Sequence, residues 1–387
     1  MSKNDVPFSF WEKNRSLFQG DVIIIGGGLV GQSIAIALQK KRIKSQQRPL
    51  KICIVDKLPT GKSGASTRNA GFACFGSPTE ILDDMNQETE NKIVARMKNR
   101  IAGISLWKNW VSPDIIDWED HNGYEVFEPQ EIKSYEEVLN QLDNLNRMGK
   151  LASGKQYIYS KTSQISANLP YSIKINGEAS LNPGKAHNAL VEINRSFGIV
   201  FFNGIQISGR KNWIKTRNGW TIPSNQGDFK ASKVVIATNA WTPELIPGVD
   251  ITPGRGQIIL IKPSQTKLFK GVCHAKKGYL YFRNLNNYLL LGGGRNLFRQ
   301  EETSLDMRTT ANVQTYLESY IKEVLIPKQK YTVINRWSGI MAFSRSGEKS
   351  SLIYWEEPNL LVAARMGGMG VALAPKVGED VAKMILT

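Results

Sequence analysis

Cysteine and histidine are both scarce. Cys53, Cys74 and Cys273 are the only cysteines in 387 residues. They are widely spaced, odd in number and form no CxxC pair, which excludes a disulfide framework and a cysteine metal centre. His121, His187 and His274 are as few and as far apart. No zinc-ligand spacing or nucleophile motif can be built from them, so no metal is expected and hydrolytic chemistry falls away. No run approaches the roughly 20 apolar residues of a membrane helix. The first 20 residues are polar with scattered aromatics and lack the apolar stretch of a secretory leader, giving an expectation of a cytoplasmic protein. Acidic residues are in deficit, 34 against 50 Lys and Arg, for a formal net charge of +16. Such a surface favours anionic partners: a dinucleotide, an acidic metabolite, an anionic membrane or RNA. No dense basic block or RNA-binding motif accompanies the charge, so a nucleic-acid partner rests on charge alone. With 41% hydrophobic and 22% charged residues the chain is of globular type, and its length suits two domains.

What is present begins with a strand, a glycine turn and a helix. Residues 21–25 are an apolar run that stops at Gly26, Gly28 and Gly31, spaced as GxGxxG, and a helical pattern follows over 33–38. After a polar insertion at 41–49, a second β-rich run over 51–55 ends at Asp56. The unit reads as βαβ with a right-handed crossover. Glycines there let backbone approach a pyrophosphate at the helix N-terminus, and Asp56, about 20–25 residues on, suits the ribose hydroxyls. A carboxylate at that place argues against a 2′-phosphate.

Charged helical segments follow at 88–110 and 134–151, with strand-like residues 124–127 between them. The dinucleotide pattern resumes at Asn182, a suitable N-cap, and Pro183, a suitable first helical residue. Ala186, Ala189, Leu190, Ile193 and Phe197 share one helical face, and Gly198 is the stop. Strand runs follow at 199–202 and 233–237. Residues 252–336 read as an antiparallel sheet with one helix near 311–325. The chain then returns to strand (360–364), glycine turn (365–370) and helix (377–386).

The run from Gly64 to Phe72, Gly-Ala-Ser-Thr-Arg-Asn-Ala-Gly-Phe, has small residues with hydroxyl, guanidinium and amide groups, suited to threading beside a diphosphate and under a flat ring. With the GxGxxG unit it resembles the D-amino acid oxidase superfamily of FAD-dependent oxidoreductases, the glycine oxidase and bacterial D-amino acid dehydrogenase branch most of all. Further matches extend the resemblance over nearly the whole chain: Leu181-Asn-Pro-Gly184, Val234 to Trp241, Pro253-Gly-Arg-Gly-Gln257, Trp337-Ser-Gly339 and Gly367 to Pro375.

The resemblance implies an α/β fold, a discontinuous Rossmann-type FAD-binding domain (18–88, 177–248, 336–387) carrying an antiparallel-sheet α+β substrate domain (89–176, 249–335). It implies FAD contacts at Gly26, Gly28, Leu29, Val30 and Gly31; at Asp56 and Lys57; and at Ser66, Thr67, Arg68, Asn69, Ala70 and Gly71. The remaining contacts fall at Ile207, at Ala237, Thr238 and Trp241, and at Gly339, Gly368, Met369, Gly370 and Val371. A helix N-terminus at the last glycine run would stabilise negative charge on reduced flavin. Covalently flavinylated relatives carry a cysteine in the stretch matching 337–346; this chain has none, so noncovalent FAD is expected.

The family passes hydride from a carbon bearing an amine to flavin N5, largely by binding and alignment. The resemblance places Tyr279 facing substrate, and Arg283, two pleat repeats from it, shares its strand face. Amino-acid-oxidising members carry a carboxylate-binding arginine two residues beyond the glycine of Trp-x-Gly. Met341 stands there in this chain, and a thioether cannot replace that ion pair. Arg283 and Arg365 are the candidate substitutes, and Arg68 can serve cofactor or substrate. Cys74 and His274 read as a buried small residue and an ordinary strand histidine. The expected function is oxidation of a C–N bond in an amino acid or secondary amine, with the electron acceptor unassigned. Two other readings stay open: oxidation of a 2-hydroxy acid on the same fold, and a flavin-dependent tRNA-modification factor that uses the positive charge.

Overall fold

The protein is described from a computed structural model, in which residues 9, 16–59, 61–265 and 269–387 are placed. Most of the N-terminal stretch read above as lacking a leader lies outside the described residues. The chain builds two eight-stranded sheets. The first runs in the order Leu352–Glu357, Leu360–Ala364, Gly227–Ile236, Ser16–Ile25, Ile52–Asp56, Val200–Asn203. All of these pair in parallel except the first, which forms an antiparallel edge. A hairpin, Ile214–Thr216 with Gly219–Ser224, is added to Gly227–Ile236. Chain order reverses at Ser16–Ile25, whose neighbours are the next strand in sequence on one side and a distant one on the other. Ligands of open α/β sheets bind at the carboxyl ends of the strands beside such a switch point.

Residues 22–25 and 52–55 are buried on both faces, as parallel strands covered by helices must be. The covering helix Leu29–Lys44 is buried almost all round over its first ten residues, and shows no single apolar face there. It runs four residues into the stretch read as a polar insertion. Lys41, Arg42 and Lys44 form its last turn, where their charge complements the helix dipole. The last helix, Gly370–Leu386, starts seven residues earlier than its sequence pattern suggests. Pro375 lies inside it and has no N–H to give the Val371 carbonyl; the Trp107 indole N–H donates to that oxygen instead, at 2.7 Å. Trp107 belongs to Glu90–Trp110, a helix that packs closely on this last one.

The second sheet carries Tyr331–Phe343, Thr252–Pro263, Tyr288–Gly293, Leu280–Leu285 and Val272–Ala275 in antiparallel array. It continues through Gly123–Phe127, parallel to its neighbour, to Tyr171–Ile175 and Tyr159–Thr162. Tyr331–Phe343 passes straight through residue 336, where the sequence reading ended the sheet. The helix read at 134–151 is two, Ile132–Asn140 and Leu142–Ser153. Asn182 caps Pro183–Ser196 by accepting from the Gly184 and Lys185 amides. The fold class is the one expected. Among the described residues no helix is long and apolar enough to cross a membrane.

Candidate active site

The first sheet's strands Ser16–Ile25 and Ile52–Asp56 end at a groove of about 270 Å³. Its near wall is the glycine turn. Gly26 has φ +113°, and a Cβ there would lie 2.4 Å from the Ala237 carbonyl oxygen. A Cβ at Gly31 would lie 1.9 Å from the Gly26 carbonyl oxygen. Both places admit only glycine, and Gly31 lines neither cavity: it lets the helix start tightly against the turn. Gly28, Leu29 and Val30 line the groove at the N-terminus of Leu29–Lys44. That end has no acidic residue in its first turn, so its dipole is left to attract an anion. The Leu29 amide donates to Ser66 Oγ at 2.9 Å.

Asp56 and Lys57 line the next stretch of groove. The Asp56 carboxylate accepts from the Gly27 amide at 2.7 Å and the Leu58 amide at 2.8 Å, so it braces the turn as well as facing the groove. Lys57 lies over the Trp241 ring, 4.9 Å from its centroid, and pairs with Glu244. Ile207, Ala237, Thr238 and Trp241 form the far wall. Gly368, Gly370 and Val371 bring a second helix N-terminus to the groove, again with no acid in its first turn.

The loop Gly64 to Gly71 stitches these parts together. Ser66 and Asn69 line the groove. Thr67 turns inward, its amide and hydroxyl bonded to Ser63 Oγ, while Gly71, with φ +75°, bonds Leu181 and stands outside the lining. Ile340 N–H donates to Gly64 O at 2.8 Å, and Arg68 Nε donates to Ser338 O, tying the loop to the second sheet.

A smaller chamber of about 170 Å³ lies beside the groove. Ala65, Asn69, Met341, Gly368 and Val371 line both spaces, which therefore adjoin. Arg68, Ala70, Gly339 and Met369, expected at the cofactor, line the chamber. Its remaining walls are Phe72, Gly256, Ile258, His274, Gly278 and Tyr281. Burial pushes the Tyr281 phenol up to about 12, so it stays a hydrogen-bond donor.

Three expected substrate residues line neither space. Tyr279 is half exposed, at 51%, just ahead of Leu280–Leu285; Tyr281 is the tyrosine that faces the chamber. Arg283 is buried beneath the loop, donating to Leu181 O at 3.0 Å, and burial lowers its pKa. Arg365, at φ +62°, is paired with Asp250 at 2.7 Å. The Asp250 carboxyl is held well below its usual range, first by the Ser344 hydroxyl. Arg68 is the arginine that reaches the chamber. His274, read as an ordinary strand histidine, faces the chamber and pairs with buried Glu178 at 2.8 Å. Cys74 is buried, as expected. Cys74, Glu178 and His274 bring ligand atoms within 4.8 Å of one another, but burial pushes the thiol far up and Glu178 already holds His274 and the Phe75 amide. Phe72 and Gly256 lay inside motifs visible in the sequence; His274 and Tyr281 depended on strand register.

A parallel sheet with a glycine turn at its switch point, and a side chamber walled by a second sheet, define a dinucleotide-dependent enzyme. Residues 21–384 match the sequence model of the DAO family, FAD dependent oxidoreductase, and the chain belongs to this family. The D-amino acid dehydrogenase of Helicobacter pylori is 20% identical over 433 aligned positions, covering 94% of each chain. The crystal structure of glycine oxidase from Geobacillus kaustophilus superposes with a TM-score of 0.73 at 20% identity, over 95% of each chain. The L-alpha-glycerophosphate oxidase of Mycoplasma pneumoniae, solved with FAD bound, gives 0.73 at 16% identity over 96% of each. The resemblance read from the sequence is borne out, and the chain is an FAD-dependent oxidoreductase.

Proposed function

We propose that the protein oxidises a C–N bond of an amino acid or secondary amine, giving an imine that water hydrolyses. The observation that carries this reading is that chamber and groove adjoin, sharing Ala65, Asn69, Met341, Gly368 and Val371 as lining. A small substrate in the chamber would lie against the end of a dinucleotide laid along the groove. FAD held there supplies the hydride acceptor. Gly26, Gly28 and the two helix N-termini would carry the pyrophosphate and the flavin's pyrimidine edge, and Asp56 the ribose. No cysteine lines either space, which supports noncovalent FAD.

The chamber residues bind and align. Ile258, Phe72 and Met341 exclude water from the reacting carbon, and Arg68 has Nη1 and Nη2 to offer a carboxylate while its Nε is fixed on Ser338. This assigns to Arg68 the charge that Met341 cannot provide. The test is an anaerobic screen that follows bleaching of the flavin absorbance with amino acids, secondary amines and 2-hydroxy acids. Bleaching by amines supports the proposal; bleaching by hydroxy acids alone replaces it with alcohol oxidation on the same fold.

A further inference from the structure

One wall of the chamber is ionisable in a way that binding and alignment do not require. His274 lines it from the strand Val272–Ala275, and its Nε2 lies 2.8 Å from Glu178 Oε2. Glu178 is 1% exposed, and its other oxygen accepts the Phe75 amide at 3.1 Å. The Phe72 ring meets the imidazole edge-on at 5.5 Å. Carboxylate and aromatic ring together fix the imidazole's orientation. Because Glu178 accepts from Nε2, Nδ1 is the nitrogen left to accept a proton.

The groups around this imidazole are mostly acidic. Glu125 is its partner on Gly123–Phe127, with its carboxyl bonded to the Thr79 amide and hydroxyl. Tyr281 is its partner on Leu280–Leu285. Glu80, on Pro78–Met85, is paired with Arg100 of Glu90–Trp110, and Cys74 lies beside Glu178. Burial works to lower the His274 pKa, but Glu178, by charge and hydrogen bond, with Glu125 and Glu80 behind it, outweighs burial and raises it. The result is a stronger base than a free imidazole. A histidine packed only for structure has no need to face a cavity, and Arg68 already provides the chamber with a cation.

We propose that His274, oriented by Glu178, takes the proton from the substrate nitrogen in this chamber, so that the substrate enters as a primary or secondary ammonium. The proposal rests on the C–N reading above. An N–H bond of the ammonium breaks and its proton bonds to Nδ1. The electron pair left on nitrogen becomes the second bond of the imine as hydrogen leaves the adjacent carbon with its own pair, transferred to the cofactor. The imidazolium then returns its proton to water.

Two measurements on the flavin-loaded protein test this. The first is the pH dependence of anaerobic flavin bleaching by an amine substrate. In the wild type the rate climbs with pH through the His274 titration. In His274→Asn it falls by about 100-fold near neutral pH, the scale of a lost general base. The deficit closes at high pH, where free amine is abundant. Glu178→Gln moves the climb to lower pH. The second is NMR titration of the imidazoles, which number only three. The His274 signal titrates above the ordinary 6.5 and moves down in Glu178→Gln, a response that a packing role does not produce. Should His274→Asn fail to hold flavin, the double variant with Glu178→Gln removes both charges together and is compared instead. One shared pH profile for wild type and variant, or a His274 titration indifferent to Glu178→Gln, overturns the proton role. Failure of every amine to bleach the wild-type flavin overturns the C–N reading itself, and the proton role with it.

Discussion

The groove and the chamber are built from different materials. The groove is bounded by glycine turns, Gly26 and Gly28 at one end and Gly368 and Gly370 at the other, with two helix N-termini aimed between them. The chamber is walled by the side chains of Phe72, Ile258, His274, Tyr281, Met341 and Met369, brought from strands and loops far apart in the sequence. A backbone cradle accepts one cofactor and tolerates little change, whereas a chamber of side chains can be refitted residue by residue for new substrates. Under the proposed function, Met341 in place of the expected arginine, with Arg68 lining the same chamber, would be such a refit.

If that division is right, substitutions should separate cofactor binding from chemistry. The largest effect is expected at the cradle. In Gly31→Ala the new methyl meets the Gly26 carbonyl oxygen at 1.9 Å, and relief must move the turn or the helix. Purified protein should be colourless, with a stability loss of about 1–3 kcal/mol; a full complement of flavin per chain would break the comparison. A smaller effect is expected at the chamber. Arg68→Met should keep the yellow colour yet raise KM for amino acids about 10–100-fold, the scale of a charged hydrogen bond, while amines without a carboxylate are little affected. Equal losses on both substrate types would assign Arg68 to the cofactor.

The smallest effect is on stability against pH. Burial raises the Glu125 carboxyl from 4.5 to about 7, with the Thr79 hydrogen bonds opposing. The folded chain keeps this proton where the unfolded chain has lost it. Its contribution is therefore full below about pH 4.5 and is lost as pH rises through about 7. His274, also raised, acts in the same sense above its ordinary 6.5. The melting temperature should fall between about pH 5 and about pH 8. Glu125→Gln should flatten part of that slope, by on the order of 1 kcal/mol. A slope unchanged in the variant would place the charge elsewhere.

The same division explains what the sequence disclosed. A backbone cradle leaves a local signature, because strand, glycines, helix and Asp56 must follow in fixed order within 21–56. Asn182 and Pro183 announced their helix for a similarly local reason. The last helix begins seven residues before its sequence pattern, and the Val371 carbonyl that Pro375 leaves without an N–H is taken by the distant Trp107 indole. The chamber's loop residues lay inside motifs, but its strand residues His274 and Tyr281 left no such signature. That Tyr281 faces inward depends on the register of Leu280–Leu285 with Tyr288–Gly293, where the Tyr281 ring lies over Gly292. Arg283 and Arg365 looked free in the sequence, yet Leu181 and Asp250 occupy them from distant segments. His274 gained its role from Glu178, 96 residues away.

The central claim is that flavin is held by the groove and substrate is oxidised in the chamber beside it. Filling the chamber alone tests it most directly. A Cβ at Gly256 would lie 2.7 Å from the Met341 methyl, so Gly256→Leu should drive both side chains into the chamber and leave the glycine turn untouched. The account predicts a yellow protein with wild-type flavin content whose absorbance no longer bleaches with an amine that reduces the wild type. Undiminished bleaching in a flavin-replete Gly256→Leu would contradict it.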